Sequence, residues 1–223
     1  MKKKIILISL AITSTLAFNM TYAKEPKNLD FVKLSLVRYH DSGEYQKDQA
    51  RTIDKAMEYL KSRLERAQRT HKNKKMAVVL DIDETALSNY PDLYRMGFGG
   101  SPLEINSAID KGVDAAIAPT LKLYRYAKAN NISVFFITGR TEKNRASTEK
   151  NLAASGYQNW DGISLRADDF KDKSAAAYKI NARNLIEKQG YVIVLNIGDQ
   201  QSDLTGGHAD KTFKLPNPYY FIP

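Results

Sequence analysis

The sequence predicts an α/β domain with a mainly parallel sheet, and three observations lead there. Apolar, β-branched runs at residues 78–80, 132–137 and 191–197 alternate with stretches of helical periodicity. Such runs, bounded by polar residues, read as buried strands, which belong to parallel sheets. Each run also stops in a polar turn: Asp81-Ile82-Asp83-Glu84-Thr85, Thr138-Gly139-Arg140-Thr141 and Gly198-Asp199-Gln200-Gln201-Ser202-Asp203. Ligands of open parallel sheets bind beyond the carboxyl ends of the strands, so the three turns mark one candidate site.

The first segment stands apart. Lys2, Lys3 and Lys4 precede an apolar run of 14 residues (5–18), and Thr21-Tyr22-Ala23 leads into a polar stretch. A basic start, a short apolar centre and small residues at −3 and −1 make a secretory signal peptide over 1–23, cleaved after Ala23. Fourteen residues are short for a membrane span. The export style looks bacterial, so the destination is periplasm or medium. Residues 24–223 are expected to form a single domain with room for a small insertion.

A hydrophobic content of 43% and a charged content of 26% describe a soluble globular protein. Cysteine is absent, which excludes disulfides, thiolate metal sites, a cysteine nucleophile and a lipoprotein anchor. The net charge is +9, or +6 without the three N-terminal lysines. That balance suits anionic small substrates. No dense Lys/Arg block with interleaved aromatics points to nucleic acid. His40, His71 and His208 lack metal-ligand spacing.

Residues 24–43 read as a polar leader of loop and short helix. Over 44–70, Ile53, Met57, Leu60 and Leu64 recur at three- and four-residue spacing, as in an amphipathic helix, giving a helical region over about 30–72. A charged linker, 72–75, enters the first strand. Residues 89–119 hold Pro91, Gly97, Gly99, Gly100, Pro102 and Gly112, with Tyr90, Tyr94 and Phe98 between them. That punctuation suits loops and short helices, and the segment is the expected cap over the site. A helix starts near Pro119, with Leu121, Leu123, Tyr124 and Ala127 as packing residues. Helices at about 142–155 and 174–189 close on Gly156 and Gly190. Short strands at 162–165 and 211–215 precede a Pro-rich tail.

Asp81 and Asp83 taken alone also fit a solvated strand end, and Thr138 alone also fits a helix N-cap. Asp199 and Asp203, four apart after a buried strand, can converge on one hard cation. In this order, on these elements, the residues resemble the haloacid dehalogenase (HAD) superfamily: Asp81-Ile82-Asp83-Glu84-Thr85 as motif I, Thr138 as motif II, Asp199 and Asp203 as motif IV. Longer strings narrow the likeness. Leu80 through Asn89, Phe136-Ile137-Thr138-Gly139-Arg140, Asn196 through Leu204 and the tail Phe213-Lys214-Leu215-Pro216-Asn217-Pro218-Tyr219-Tyr220 resemble the secreted acid phosphatases of subfamily IIIB. That group joins bacterial class B and C acid phosphatases with plant vegetative storage proteins.

The resemblance implies a HAD-type Rossmannoid parallel sheet with helices on both faces, a small cap and an N-terminal helical segment. It implies a secreted, Mg²⁺-dependent acid phosphatase acting on phosphomonoesters through a phospho-aspartyl intermediate. Asp81 would be the nucleophile and Asp83 the general acid/base. Mg²⁺ would be held by Asp81, the Asp83 carbonyl, Asp199 and Asp203. Thr138, the Gly139 amide and Lys173 would hold the transferring oxygens, with Arg140 and Asn89 as further donors. Lys173 is the expected motif III lysine, at the mouth of its helix. Lys179 lies over a turn further on and is expected to point away from the carboxyl edge. Tyr90, Tyr94 and Phe98 would form either a leaving-group pocket or cap core. Small phosphomonoesters are the implied partners, 5′-nucleotides only by analogy, with no nucleic acid and no membrane once the leader is removed. Two other readings stand beside this one: a HAD-fold storage or binding protein with little turnover, and a phosphotransferase. The joint presence of Asp81, Asp83, Lys173 and Asp199 speaks against the storage reading.

Overall fold

The computed structural model describes residues 24–70, 75–169 and 174–222. The expected signal peptide, residues 72–74 of the linker and Lys173 lie outside them. The chain opens with two helices, α1 (Leu29–Asp41) and α2 (Glu44–Thr70). The Asn28 side chain caps α1 by accepting from the Asp30 N–H at 2.9 Å. Strand β1 (Lys75–Leu80) follows, then the short β2 (Leu87–Ser88), helices α3 (Tyr90–Arg95) and α4 (Pro102–Lys111), and β3 (Ala115–Ala116). Next come α5 (Ala118–Ala129), β4 (Ser133–Thr141), α6 (Arg145–Ala154), β5 (Gly162–Arg166), α7 (Ala175–Lys188), β6 (Tyr191–Gly198), the single turn α8 (Gln201–Leu204) and β7 (Thr212–Lys214). Among the described residues no helix is long and apolar enough to cross a membrane.

Five strands form one parallel sheet in the order β5-β4-β1-β6-β7. Leu80 is in register with Phe136 on β4 and with Ile197 on β6. The three polar segments of the sequence therefore lie side by side, at the carboxyl edge of the sheet.

The side-chain period of two divides the core. Val78 and Leu80 of β1 join Val134 and Phe136 of β4 under α2 and α5, through Ile53, Met57, Leu60, Leu123 and Tyr124. Ala77, Val79, Phe135 and Ile137 face the other way, onto Ala182 and Ile186 of α7. Helices thus cover both faces. Helix α2 is polar along most of its length, so its place in the fold rests on this apolar stripe. Burying each large apolar side chain there contributes about 1.5–3 kcal/mol.

Strand β4 runs four residues beyond the boundary read from the sequence. Thr141 rejoins β5 opposite Arg166 after an irregularity, which keeps Thr138–Thr141 within the strand. The helix expected from about residue 142 opens as a 3₁₀ turn, Glu142–Asn144, before α6. Leu87 pairs with Ala116 and Ser88 with Ala115, so α3 and α4 hang from a two-stranded neck. Within that insertion Ser101 and Glu104 form a reciprocal capping box on α4. Gly112 closes the same helix at φ 61°, where a Cβ would be strained.

Candidate active site

Asp81 continues β1 past its last residue: its N–H donates to the Ile197 carbonyl at 3.0 Å. Its carboxylate faces Lys179 of α7, whose Nζ lies 2.7 Å from Oδ1. The same ammonium donates to Asp203 Oδ1. All three side chains are buried. Burial pushes the Asp81 carboxyl well above the usual carboxylate range; Lys179 opposes that, while Asp203, Asp199 and Asp83 add to it. Burial works against the Lys179 charge, but Asp81 and Asp203 raise its pKa above the ordinary lysine value. The expectation that Lys179 points away from the carboxyl edge is therefore corrected. Helical side chains lean toward the N-terminus, and the long lysine stem reaches back to the strand exits.

Asp83 sits in the next turn and is partly open to the cavity. Arg140 grips it, with Nη2 2.7 Å and Nε 3.1 Å from Oδ1. Asn89 Nδ2 donates to Oδ1 at 2.7 Å, and the Thr138 hydroxyl lies 3.5 Å from Oδ2. Burial alone would raise Asp83, but the Arg140 charge and hydrogen bonds, with Asn89 and Lys179, bring it below its usual value. Arg140 also reaches Asp114 at 3.4 Å and Thr148 at 3.3 Å. Its expected part as a free donor to substrate is thus revised: the guanidinium is committed to Asp83 and Asp114. Glu84, next along, adopts φ 52° with its side chain fully buried. It accepts from Asn89 N–H at 2.7 Å and from the Tyr220 hydroxyl at 2.9 Å. Burial, then Asp83 and Asp199, push its carboxyl up to about 8.

The third turn carries Asp199 and Asp203. A Cβ at Gly198 would collide with the Asp203 side chain, so glycine there lets the carboxylate fold back over the strand end. Arg183, fully buried on α7, clamps this turn by donating to the carbonyls of Asp203, Thr205 and Gly207. Asp199 Oδ2 accepts from Gln200 Nε2 and from Asn217 Nδ2, each at 2.6 Å. Burial, and Asp203 beside it, push Asp199 up to about 6.

Asp81, Asp199 and Asp203 each offer one carboxylate oxygen, all within 4.8 Å of one another. Three buried carboxylates, two of them bridged by one lysine, are short of positive charge. An all-oxygen donor set suits a hard divalent cation rather than a soft one.

These groups lie at the floor of a cavity of ≈ 520 Å³. Asp81, Asp83, Asn89, Gly139, Arg140, Lys179, Asp199 and Asp203 all reach it. Thr138 is fully buried beneath, its hydroxyl accepting from the Arg140 N–H at 3.1 Å. Leu93, Met96 and Phe98 from the cap form part of the wall. Tyr90 and Tyr94 are not in the wall among the described residues, a correction to the leaving-group pocket. Tyr90 is packed in a cluster with Tyr45 and Tyr219, stacked on His40 with ring centroids 3.3 Å apart. Tyr94 is 57% exposed. Sequence reasoning missed Glu84, Arg183, Gln200 and Asn217. The sequence signal for the first was a third acid immediately after Asp83.

The family model described as HAD superfamily, subfamily IIIB (acid phosphatase), matches residues 5–223. Acid phosphatase 1 of Solanum lycopersicum is 38% identical over 148 residues, covering 65% of this chain and 58% of that protein. The stem 28 kDa glycoprotein of Glycine max is 41% identical over 152 residues, covering 65% and 59%. The chain thus spans less than two thirds of the length of these curated relatives. Among solved structures, the class C acid phosphatase from Bacillus anthracis has the same fold, with a TM-score of 0.71 over 86% of each chain at 24% identity.

Proposed function

Because the chain belongs to subfamily IIIB of the HAD superfamily, the acid phosphatases, we propose that it is an exported, Mg²⁺-dependent phosphomonoesterase working through a phospho-aspartyl intermediate. The observation that carries this reading is the cluster of Asp81, Asp199 and Asp203 around Lys179, with Asp83 beside it, on the floor of one cavity. When bound by Asp81, the Asp83 carbonyl, Asp199 and Asp203, Mg²⁺ would offset the charge between nucleophile and phosphate and favour an ionised Asp81.

The Asp81 carboxylate attacks phosphorus in line while Asp83 gives its proton to the leaving oxygen. The P–O bond to the leaving group breaks and an acyl phosphate forms on Asp81. Asp83 then takes a proton from water, which attacks the same phosphorus, releases inorganic phosphate and restores the Asp81 carboxylate. Lys179, 2.7 Å from Asp81, takes the charge-offsetting part that the sequence assigned to Lys173. The Gly139 amide and Thr138 form the remaining cradle. Arg140 holds Asp83 toward its ionised form, so the protonated acid becomes scarcer as pH rises, which favours turnover in acid. Residues 24–223 make one domain, with about 89–119 as its cap. The basic, apolar and small-residue pattern of residues 1–23 supports export to periplasm or medium.

The test is hydrolysis of p-nitrophenyl phosphate by the chain from Lys24 onward, at mildly acidic pH, with Mg²⁺ or EDTA. Turnover is expected with Mg²⁺, to fall by about 100-fold or more in EDTA, and to return on adding metal. Turnover indifferent to EDTA would contradict the metal assignment. A folded protein that binds Mg²⁺ but turns over no phosphomonoester would favour the storage reading.

A further inference from the structure

Residues 216–222, after β7, return to the carboxyl edge of the sheet and touch the site at both ends. We propose that this tail is a strap with two positioning residues: Asn217, which orients the metal-facing carboxylate of Asp199, and Tyr220, which acts through Glu84 and Asn89 to orient Asp83. The inference rests on the phosphatase reading above and goes beyond it by assigning work to the tail.

The first arm follows from hydrogen-bond direction. Asn217 Oδ1 accepts from the Tyr219 N–H at 2.8 Å, so its Nδ2 must be the group 2.6 Å from Asp199 Oδ2. Gln200 Oε1 accepts from the Ile222 N–H at 3.0 Å, so its Nε2 faces the same oxygen, also at 2.6 Å. Tail backbone donors thus set both amides, and both amides fill Oδ2. Among the described residues Asp199 Oδ1 takes only the Thr85 hydroxyl, at 3.3 Å, and is the oxygen left for a cation.

The second arm is a relay of donors. The Tyr220 hydroxyl donates to Glu84 Oε2 at 2.9 Å. Glu84 receives the Asn89 N–H at 2.7 Å on Oε1 and Nδ2 at 3.1 Å on Oε2. The other Nδ2 hydrogen goes to Asp83 Oδ1 at 2.7 Å. Glu84 holds a left-handed backbone, φ 52°, that a non-glycine residue adopts only when its surroundings impose it. The tail is anchored independently by Tyr219, whose ring stacks on Phe98 with centroids 5.6 Å apart and meets Tyr45 edge-on. Packing alone would not need the polar atoms of Asn217 and Tyr220.

The experiment is calorimetric titration of the full mature chain with Mg²⁺, together with steady-state hydrolysis of p-nitrophenyl phosphate, for wild type, Asn217→Ala and Tyr220→Phe. Asn217→Ala is expected to weaken Mg²⁺ binding by about 10- to 100-fold. Tyr220→Phe keeps the ring and is expected to leave Mg²⁺ affinity unchanged. Its kcat at saturating Mg²⁺ should fall roughly tenfold, with KM within a few-fold. If Asn217→Ala does not fold, Asn217→Ser, whose hydroxyl can still accept from Tyr219 N–H, gives the same readout. Wild-type Mg²⁺ affinity in the Asn217 variant overturns the first arm; wild-type kcat in Tyr220→Phe overturns the second. A wild-type chain that binds no Mg²⁺ overturns the metal reading itself, and the first arm with it, without recourse to any variant.

Discussion

Asp81→Asn is expected to lower turnover by about four orders of magnitude or more while leaving the fold intact. The amide matches the carboxylate in shape and its oxygen can still accept from Lys179, now at 2.7 Å. It cannot form an acyl phosphate, because an amide oxygen is a poor nucleophile and has no charge to direct at phosphorus. The substitution also removes a charge that burial disfavours most, with Asp203, Asp199 and Asp83 adding to that and Lys179 opposing it. Stability in EDTA should therefore hold or rise. Circular dichroism and urea unfolding check the fold, and p-nitrophenyl phosphate checks turnover. Residual activity within tenfold of wild type would remove Asp81 from the nucleophile's place.

Lys179→Met is expected to cost about 3–5 kcal/mol of unfolding free energy in EDTA, because two buried carboxylates lose their shared cation. Both Asp81 and Asp203 are within hydrogen-bond reach of Nζ, and the lysine is 6% exposed. Adding Mg²⁺ should restore part of the loss by supplying positive charge to the same oxygens. Lys173→Met should change stability far less, because Lys179 already supplies the positive charge shared by Asp81 and Asp203. Urea titrations of both variants, with and without metal, make the comparison. Equal effects of the two substitutions would contradict the pairing of Lys179 with Asp81.

Much of this was legible in the sequence, for a physical reason. Asp81, Asp83, Thr138, Asp199 and Asp203 follow apolar runs that must be central strands, and parallel pairing leaves their exits side by side. Backbone period and strand polarity therefore locate them without side-chain geometry. Lys179 was misplaced because its position was judged from its Cα; the reach and lean of a lysine bring its ammonium back to the edge. The resemblance implies Arg140 as a further donor to the transferring oxygens. Its partner, Asp114, lies beyond the cap helices and 26 residues away, and no local pattern announces the pair. Tyr90 and Tyr94 share one short helix with opposite fates, buried and exposed, set by the α1 and tail residues packed on that helix. Asn217 and Tyr220 come from a tail whose proximity to Asp199 and Glu84 exists only once the sheet has formed.

The stereochemical course at phosphorus tests the central claim most directly. A phosphorothioate monoester made chiral with oxygen isotopes would be hydrolysed in isotopically labelled water by the chain from Lys24 onward with Mg²⁺, and the configuration of the product thiophosphate determined. Two successive in-line displacements, first by Asp81 and then by the acceptor, require net retention. Net inversion would mean that water or alcohol attacks the substrate phosphorus directly, and would contradict an Asp81 phosphoryl intermediate.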